Sequence, residues 1–259
     1  MKRFIGFPSL CLLLLTISCT QPQEEKKEGY SPEISFMASD GIEVFGDFFP
    51  REEGAACVLL FHQGGSNVRG EYAEIIPVLQ SKGYHILAID QRTGGQRYGS
   101  YNRTIAQFPL KRYSYCEASA DMEAAVEFAQ KKVPGSKLIL WGSSYSAALA
   151  ILYAEKYPEN VSAVLAFSPA SGEPMEGCQP ESAFENLSVP LILLRPQSEM
   201  ELDVIQDQFS LAAEAGHETF TATNGVHGSS MLVESRIKSD PSPSWEVVHA
   251  FLDRISSGN

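Results

Sequence analysis

The chain has 259 residues, 44% of them hydrophobic and 20% charged, with a formal net charge of −12. That balance is globular and excludes a disordered chain or a coiled coil. The acidic excess also removes the basic footprint of nucleic-acid binding, so no nucleic acid is expected as a partner. The length is compatible with one α/β domain or two small ones.

In chain order, the first segment is "MKRFIGFPSLCLLLLTISC". Lys2 and Arg3 precede an apolar stretch too short to span a bilayer comfortably, the pattern of an export signal over residues 1–18. Thr16, Ile17 and Ser18 then lead into Cys19. The end of the segment resembles a bacterial lipoprotein signal, with Thr16 where such signals favour Leu. The resemblance implies that Cys19 becomes the lipidated first residue and anchors the chain to a membrane of the cell envelope. A plain secretory signal with an incidental cysteine is the alternative. Residues 19–32 are polar and without periodicity, and read as a flexible tether.

The folded part is expected over 33–259. "EISFMASDGIEVFGDFFP" reads as a β-hairpin with a two-residue turn at Asp40-Gly41. "AACVLLF" is a short continuous apolar run, as in a strand buried on both faces. "EYAEIIPVLQSKG" has helical spacing and stops at Gly83. "YHILAID" is a second buried strand, "EASADMEAAVEFAQKKVPG" an amphipathic helix, "KLILWG" a third buried strand and "SAALAILYAEKYP" a helix ended by Pro158. "VSAVLAFS" and "PLILLR" are further strands. "ELDVIQDQFSLAAEAG" is a helix, "HETFTATN" a strand, and "PSWEVVHAFLDRIS" the last helix. Strands alternating with helices predict a mostly parallel eight-stranded sheet with an N-terminal antiparallel hairpin and flanking helices. The connections at 91–115 and 168–189 are long, and long connections are commonly functional.

Two serines, Ser143 and Ser144, stand where the third buried strand meets its helix. They are either a helix cap or the place of a nucleophile. A nucleophile there needs a sharp turn with small residues two before and two after it. Centring on Ser144 puts Gly142 and Ser146 at those places; centring on Ser143 puts Trp141 there, which does not fit. "GSSYS" thus resembles the G-x-S-x-G elbow of the α/β-hydrolase family, with Ser146 in place of the second glycine. The resemblance runs over about residues 33–256, and the entry hairpin and "HQGG" loop look most like the dienelactone-hydrolase and acyl-peptidase branch.

A serine needs a base. His85, His217 and His249 fall in strand or helix patterns and read as structural, whereas His227 lies in "TNGVHGSS", between the last strand and the last helix. The resemblance implies His227 as that base. It implies an acid after the "PLILLR" strand: from Pro190 the family position is Glu199, with Asp203 the alternative. For the oxyanion it implies the N–H of Tyr145 and one from the loop "HQGGSN", Gly64 first and Gln63 second, with His62 bracing the loop. The segment "AIDQRTGGQRYGS" resembles the family's Asp-x-Arg-Gly stretch at Asp90, Arg92 and Gly94 and reads as structural. Arg92 or Arg97, and with less support Arg69 or Arg103, could meet an anionic substrate.

The expected activity is a serine hydrolase cleaving the carboxylic ester of a small molecule through an acyl-enzyme. No metal or organic cofactor is implied. A peptidase or acyltransferase using the same residues is the first alternative. An inactive binding lipoprotein on this fold is the second, to which Ser146 and Gln63 point. Of the cysteines, Cys57 reads as inert core, and Cys116 with Cys178 could pair in an exported protein.

Overall fold

The computed structural model describes Met1 and residues 32–258. The expected signal beyond Met1, Cys19 and the tether up to residue 31 lie outside the described residues. Eight strands form one sheet: β1 (Glu33–Met37), β2 (Glu43–Phe49), β3 (Cys57–Phe61), β4 (His85–Asp90), β5 (Leu138–Ser143), β6 (Ala163–Phe167), β7 (Leu191–Pro196) and β8 (Glu218–Ala222). Their order is β1-β2-β4-β3-β5-β6-β7-β8. β1 pairs antiparallel with β2 and β2 with β4; every later pairing is parallel.

The helices are α1 (Val68–Glu71), α2 (Ile75–Ser81), α3 (Ser119–Lys132), α4 (Tyr145–Lys156), α5 (Asp203–Glu214), α6 (Glu234–Ile237) and α7 (Ser242–Ser257). Residues of α3, α4 and α5 share one apolar cluster with one face of the sheet, and residues of α1, α2 and α7 share the other. The central strands are therefore covered on both sides. In β3, Leu59 and Phe61 face the first cluster while Val58 and Leu60 face the second, and all are fully buried. Each such side chain contributes about 1.5–3 kcal/mol relative to leaving it in water. That two-sided burial is why these strands read as continuous apolar runs.

Two local expectations need correction. The β1–β2 turn is wider than two residues. Ala38 N–H donates to the Ile42 carbonyl at 2.8 Å, and Gly41 N–H to the Ala38 carbonyl at 3.0 Å, leaving Ser39, Asp40 and Gly41 as a three-residue loop. Gly41 sits at φ 85°, the left-handed position such a loop requires. The helix expected from Glu71 to Gly83 is broken into α1 and α2. Pro77 has no N–H for the Ala73 carbonyl and its ring crowds that carbonyl, so the helix restarts at Ile75 with Pro77 in its first turn. The short helical turns at Gly228–Leu232 and Glu234–Ile237 were not legible as helix.

The C-terminal ends of the parallel strands open onto one crevice. The segments leaving β3, β4, β5, β7 and β8 there carry every residue singled out for chemistry. In an open α/β sheet this edge is where ligands bind.

Candidate active site

β5 ends at Ser143, and α4 begins at Tyr145, so one residue makes the whole turn. That residue, Ser144, sits at φ 62° and ψ −122°, a conformation that costs an L-residue about 1–3 kcal/mol. The turn brings backbone into contact with backbone. A Cβ on Gly142 would lie 2.4 Å from Ala147 Cα, so no side chain fits at 142. Position 146 is less demanding, and a hydroxyl serves there. Ser146 Oγ accepts the Ser143 N–H at 2.8 Å and reaches the Phe61 carbonyl at 2.7 Å, tying β5, β3 and α4 together. The capping alternative fails on geometry: the Ser144 side chain makes no capping bond, and Ser143 Oγ is occupied elsewhere. Ser144 is the one residue of 141–150 that is not buried.

His227 precedes a turn of helix whose first N–H groups are held by two buried hydroxyls. Gly228 N–H donates to Ser168 Oγ at 3.0 Å, and Ser229 N–H to Ser143 Oγ at 3.1 Å. Trp141 Nε1 donates to Ser229 Oγ at 2.9 Å. Ser143, the neighbour of Ser144, thus anchors the histidine loop. Ser144 and His227 line one cavity of about 410 Å³. Among the described residues no hydrogen bond joins Ser144 Oγ to the imidazole.

The other ring nitrogen is committed. His227 Nδ1 lies 2.6 Å from Glu199 Oε1. An ionised carboxylate only accepts, so Nδ1 carries the hydrogen and Nε2 is the nitrogen left to take a proton. Glu199 is held from behind by Arg195, at the end of β7, whose Nη1 donates to Glu199 Oε2 at 2.6 Å. The same guanidinium donates to the Pro169 carbonyl and to Gln208 Oε1, and it is 1% exposed. Burial would raise the Glu199 carboxyl, but its hydrogen bond to His227 and the adjacent Arg195 cation outweigh that and hold it below its ordinary value. Asp203, the alternative acid, is exposed in the first turn of α5, and it is Glu199 that reaches the imidazole.

In the loop after β3, the Gln63 N–H donates to the buried Glu71 carboxylate at 3.0 Å. It is therefore spent inside the protein, which removes Gln63 as a backbone donor to an oxyanion. Gln63 instead offers its side chain, whose Nε2 donates to Tyr98 Oη at 3.1 Å. Gly64 faces the cavity, and a Cβ there would lie 2.5 Å from Tyr115 Oη, so a larger residue would have to displace that ring. Tyr145 N–H, at the start of α4, follows Ser144 directly. His62 is fully buried: Nδ1 lies 2.8 Å from the Gln63 carbonyl, and Nε2 accepts from Gln91 N–H at 2.9 Å. It braces the loop and has no access to the cavity.

The long connection after β4 supplies the roof. Arg92 is buried between Asp40 and Asp121, Arg103 between Asp90 and Asp47, and Arg69 pairs with Glu33 and Asp47, so these three are structural. Arg97 differs: it lines the cavity and its side chain has no partner among the described residues. Tyr115 stacks on Tyr145 at 4.5 Å and separates the cavity from a larger one of about 740 Å³ that it also lines. The next residue, Cys116, is disulfide-bonded to Cys178, joining the two long connections. Cys57 is the remaining described cysteine, buried, with its thiol pushed up to about 12 by burial. Among the described residues no group of His, Cys, Asp and Glu is arranged to hold a metal. Ser168, Glu71 and Arg195 were missed at the sequence level, as was the role of Ser143 in holding the His227 loop; of the first three only Arg195, a charge ending the apolar run "PLILLR", left a visible signal.

A family profile described as the alpha/beta hydrolase fold matches residues 57–242. No curated protein matches the chain at a significant level. Among solved structures, an esterase from Pyrococcus furiosus superposes with a TM-score of 0.67 at 17% identity, over 86% of this chain and 90% of its own. A carboxyl esterase from Bacillus coagulans superposes with a TM-score of 0.65 at 13% identity, over 86% and 98%. The acylaminoacyl peptidase of Pyrococcus horikoshii gives 0.62 at 16% identity, over 86% of this chain and 41% of its own. At such identities the likeness is one of fold.

Proposed function

We propose, from the premise that the chain belongs to the alpha/beta hydrolase fold family, that it is a serine hydrolase acting on a carboxylic ester. The observation that carries the reading is the backbone of Ser144. A residue held at φ 62° with its hydroxyl uncapped opens onto the cavity that His227 also lines. Strain of that kind belongs to sites where geometry serves chemistry.

In the proposed reaction Ser144 Oγ attacks the ester carbonyl carbon as its proton passes to His227 Nε2. Glu199 keeps Nδ1 protonated and stabilises the imidazolium. The N–H groups of Tyr145 and Gly64 receive the negative charge on the former carbonyl oxygen. The tetrahedral species collapses by breaking the bond to the alkoxide, which leaves with the imidazolium proton. Water, deprotonated by His227, then attacks the acyl-enzyme and releases acid and free Ser144. Two of the superposed proteins are named as esterases, which supports the ester.

A peptide substrate, or transfer of the acyl group to another acceptor, would use the same residues, and the acylaminoacyl peptidase likeness keeps the first in view. We also propose that the chain is exported and tethered to a cell-envelope membrane through a lipid on Cys19. Growth on labelled palmitate tests this: label in the wild type and none in Cys19→Ser is expected.

The decisive experiment is labelling with a fluorophosphonate probe followed by peptide mapping. The folded wild type is expected to carry the label on Ser144 and Ser144→Ala to carry none. An unlabelled wild type leaves the inactive-scaffold reading standing. p-Nitrophenyl esters against peptide anilides then separate esterase from peptidase.

A further inference from the structure

The ion pairs of the arginines divide them in a way that points at the substrate. Arg69, Arg92, Arg103, Arg195 and Arg254 each pair with one or more carboxylates. Among the described residues, Arg51, Arg97, Arg112 and Arg236 have no carboxylate in contact. Three of these four line the two adjoining cavities: Arg97 and Arg236 the one that holds Ser144, and Arg112 the larger one beyond Tyr115. In a chain with 32 acids against 20 Lys and Arg, neither cavity has an Asp or Glu in its lining. The carboxylates bonded to lining residues are turned to other work: beside the larger cavity Asp40 and Asp121 hold Arg92, and Glu117 takes the Ser114 N–H and hydroxyl. Glu71 Oε2 takes the Gln63 N–H from behind the loop, and Glu199 is shared by His227 and Arg195.

Arg236 is half-buried, and its charge is held by neutral acceptors alone. Nη1 donates to the Glu71 carbonyl at 2.9 Å and to Ser230 Oγ at 3.1 Å, and Nη2 to the Gly70 carbonyl at 2.8 Å. Its guanidinium lies 3.8 Å from the centre of the Tyr98 ring. Tyr98, itself at φ 61°, is in turn fastened to Gln63 and to Ser230. Arg236 and Tyr98 thus form a fixed positive wall. Arg97, the residue before Tyr98, lies beside Gly65 with its donors unspent among the described residues: a Cβ on Gly65 would lie 3.5 Å from Arg97 Nε. A planar fork with free donors matches a carboxylate.

Resting on the hydrolase reading above, we infer that the substrate ester carries a carboxylate of its own, received by Arg97 in the field of Arg236. Anion recognition at a preformed cationic cavity also raises the encounter rate of an anionic substrate with a protein whose net charge repels it.

The test is protection of Ser144 against fluorophosphonate labelling by two matched competitors, monomethyl glutarate, an anion, and dimethyl glutarate, which is neutral. The wild type is expected to be protected by the monoester at a concentration about tenfold lower than by the diester, the ratio for one charge-assisted contact. In Arg97→Met, whose residue is exposed and bears no structural bond through its side chain, that advantage should fall towards parity. Arg97→Lys should keep part of it, since the charge remains and the fork is lost. Equal protection by both esters in the wild type overturns the inference, and so does an advantage that Arg97→Met leaves intact. A folded wild type that does not label at Ser144 fails earlier, at the hydrolase reading, and takes the inference with it.

Discussion

Arg195→Met probes the charge behind the histidine. The guanidinium is 1% exposed and donates to Glu199 Oε2 at 2.6 Å, to the Pro169 carbonyl and to Gln208 Oε1. Met occupies a comparable slender volume, so the loss is chiefly electrostatic. The carboxylate keeps His227 as its one ion-pair partner, and a carbonyl and an amide oxygen are left without a donor. Removing one member of a buried pair costs about 3–5 kcal/mol. Glu199 is 17% exposed and retains His227, which places the cost at the lower end, about 3 kcal/mol. Each kcal/mol moves Tm by about 2–4 °C in a body of this size, so a fall of about 6–12 °C is expected near neutral pH. The pH dependence follows from the carboxyl lying below its ordinary 4.5 in the fold. Its contribution is complete above that ordinary value and is lost as pH falls through the lower, folded one. The gap between wild type and variant should therefore narrow as pH falls through that lower value. Thermal melts across pH measure this. A neutral-pH shift under about 2 °C, or a gap of the same size in acid, would refute the view that the Arg195 charge holds Glu199.

The remaining predictions concern the backbone corner and the loops. Ser144→Gly should abolish turnover and yet raise stability by about 1 kcal/mol in urea melts, because glycine adopts φ 62° without strain. Gly142→Ala should destabilise by about 1–3 kcal/mol or more, since its Cβ meets backbone that cannot move aside. Ser143→Ala should leave Ser144 open to the fluorophosphonate probe and lower kcat about tenfold, because the His227 loop loses the hydroxyl that accepts Ser229 N–H. Reduction of Cys116–Cys178, which closes a separation of 62 residues, should cost about 4 kcal/mol, read by melts with and without reductant and by intact mass.

The fold was legible because two-sided burial writes itself into composition: β3 and β6 are wholly apolar, β4, β5 and β7 carry apolar runs broken only at their ends, and α3, α4 and α7 follow with helical spacing. The elbow was legible for a steric reason. Trp141 cannot stand where Gly142 must, and that alone chose between the two serines. What stayed hidden were contacts made only by the folded chain. Ser143 meets Ser229 across 86 positions and Ser168 meets Gly228 across 60, and no local pattern records either. Glu71 reads as an ordinary helical acid, and only the fold brings it under the Gln63 N–H. The two-residue turn and the unbroken helix were expected from Asp40-Gly41 and from spacing alone; loop pairing at Ala38 and the missing N–H of Pro77 overrode them.

The two departures from the family pattern, Ser146 and Gln63, could mark a site that has lost its chemistry, and the structure bears on that alternative. A vestigial corner has no reason to keep its strain. Among the described residues, four non-glycine residues stand at left-handed φ: Ser144 and Tyr98 line the cavity, Ser168 holds the loop of His227, and Lys238 lies apart. Each costs about 1–3 kcal/mol and persists only where its surroundings enforce it. Ser146 is one of the enforcers, since its hydroxyl fastens the corner to β3, a bond no glycine could make. Gln63 is another: its N–H orients the loop through Glu71 while its amide holds Tyr98. Ser146→Gly, the change that restores the family's residue, should therefore lower stability by about 1 kcal/mol and lower turnover with it. If Ser146→Gly were instead more active, the serine would be damage and not design. Urea melts and ester kinetics on that single variant decide between the two.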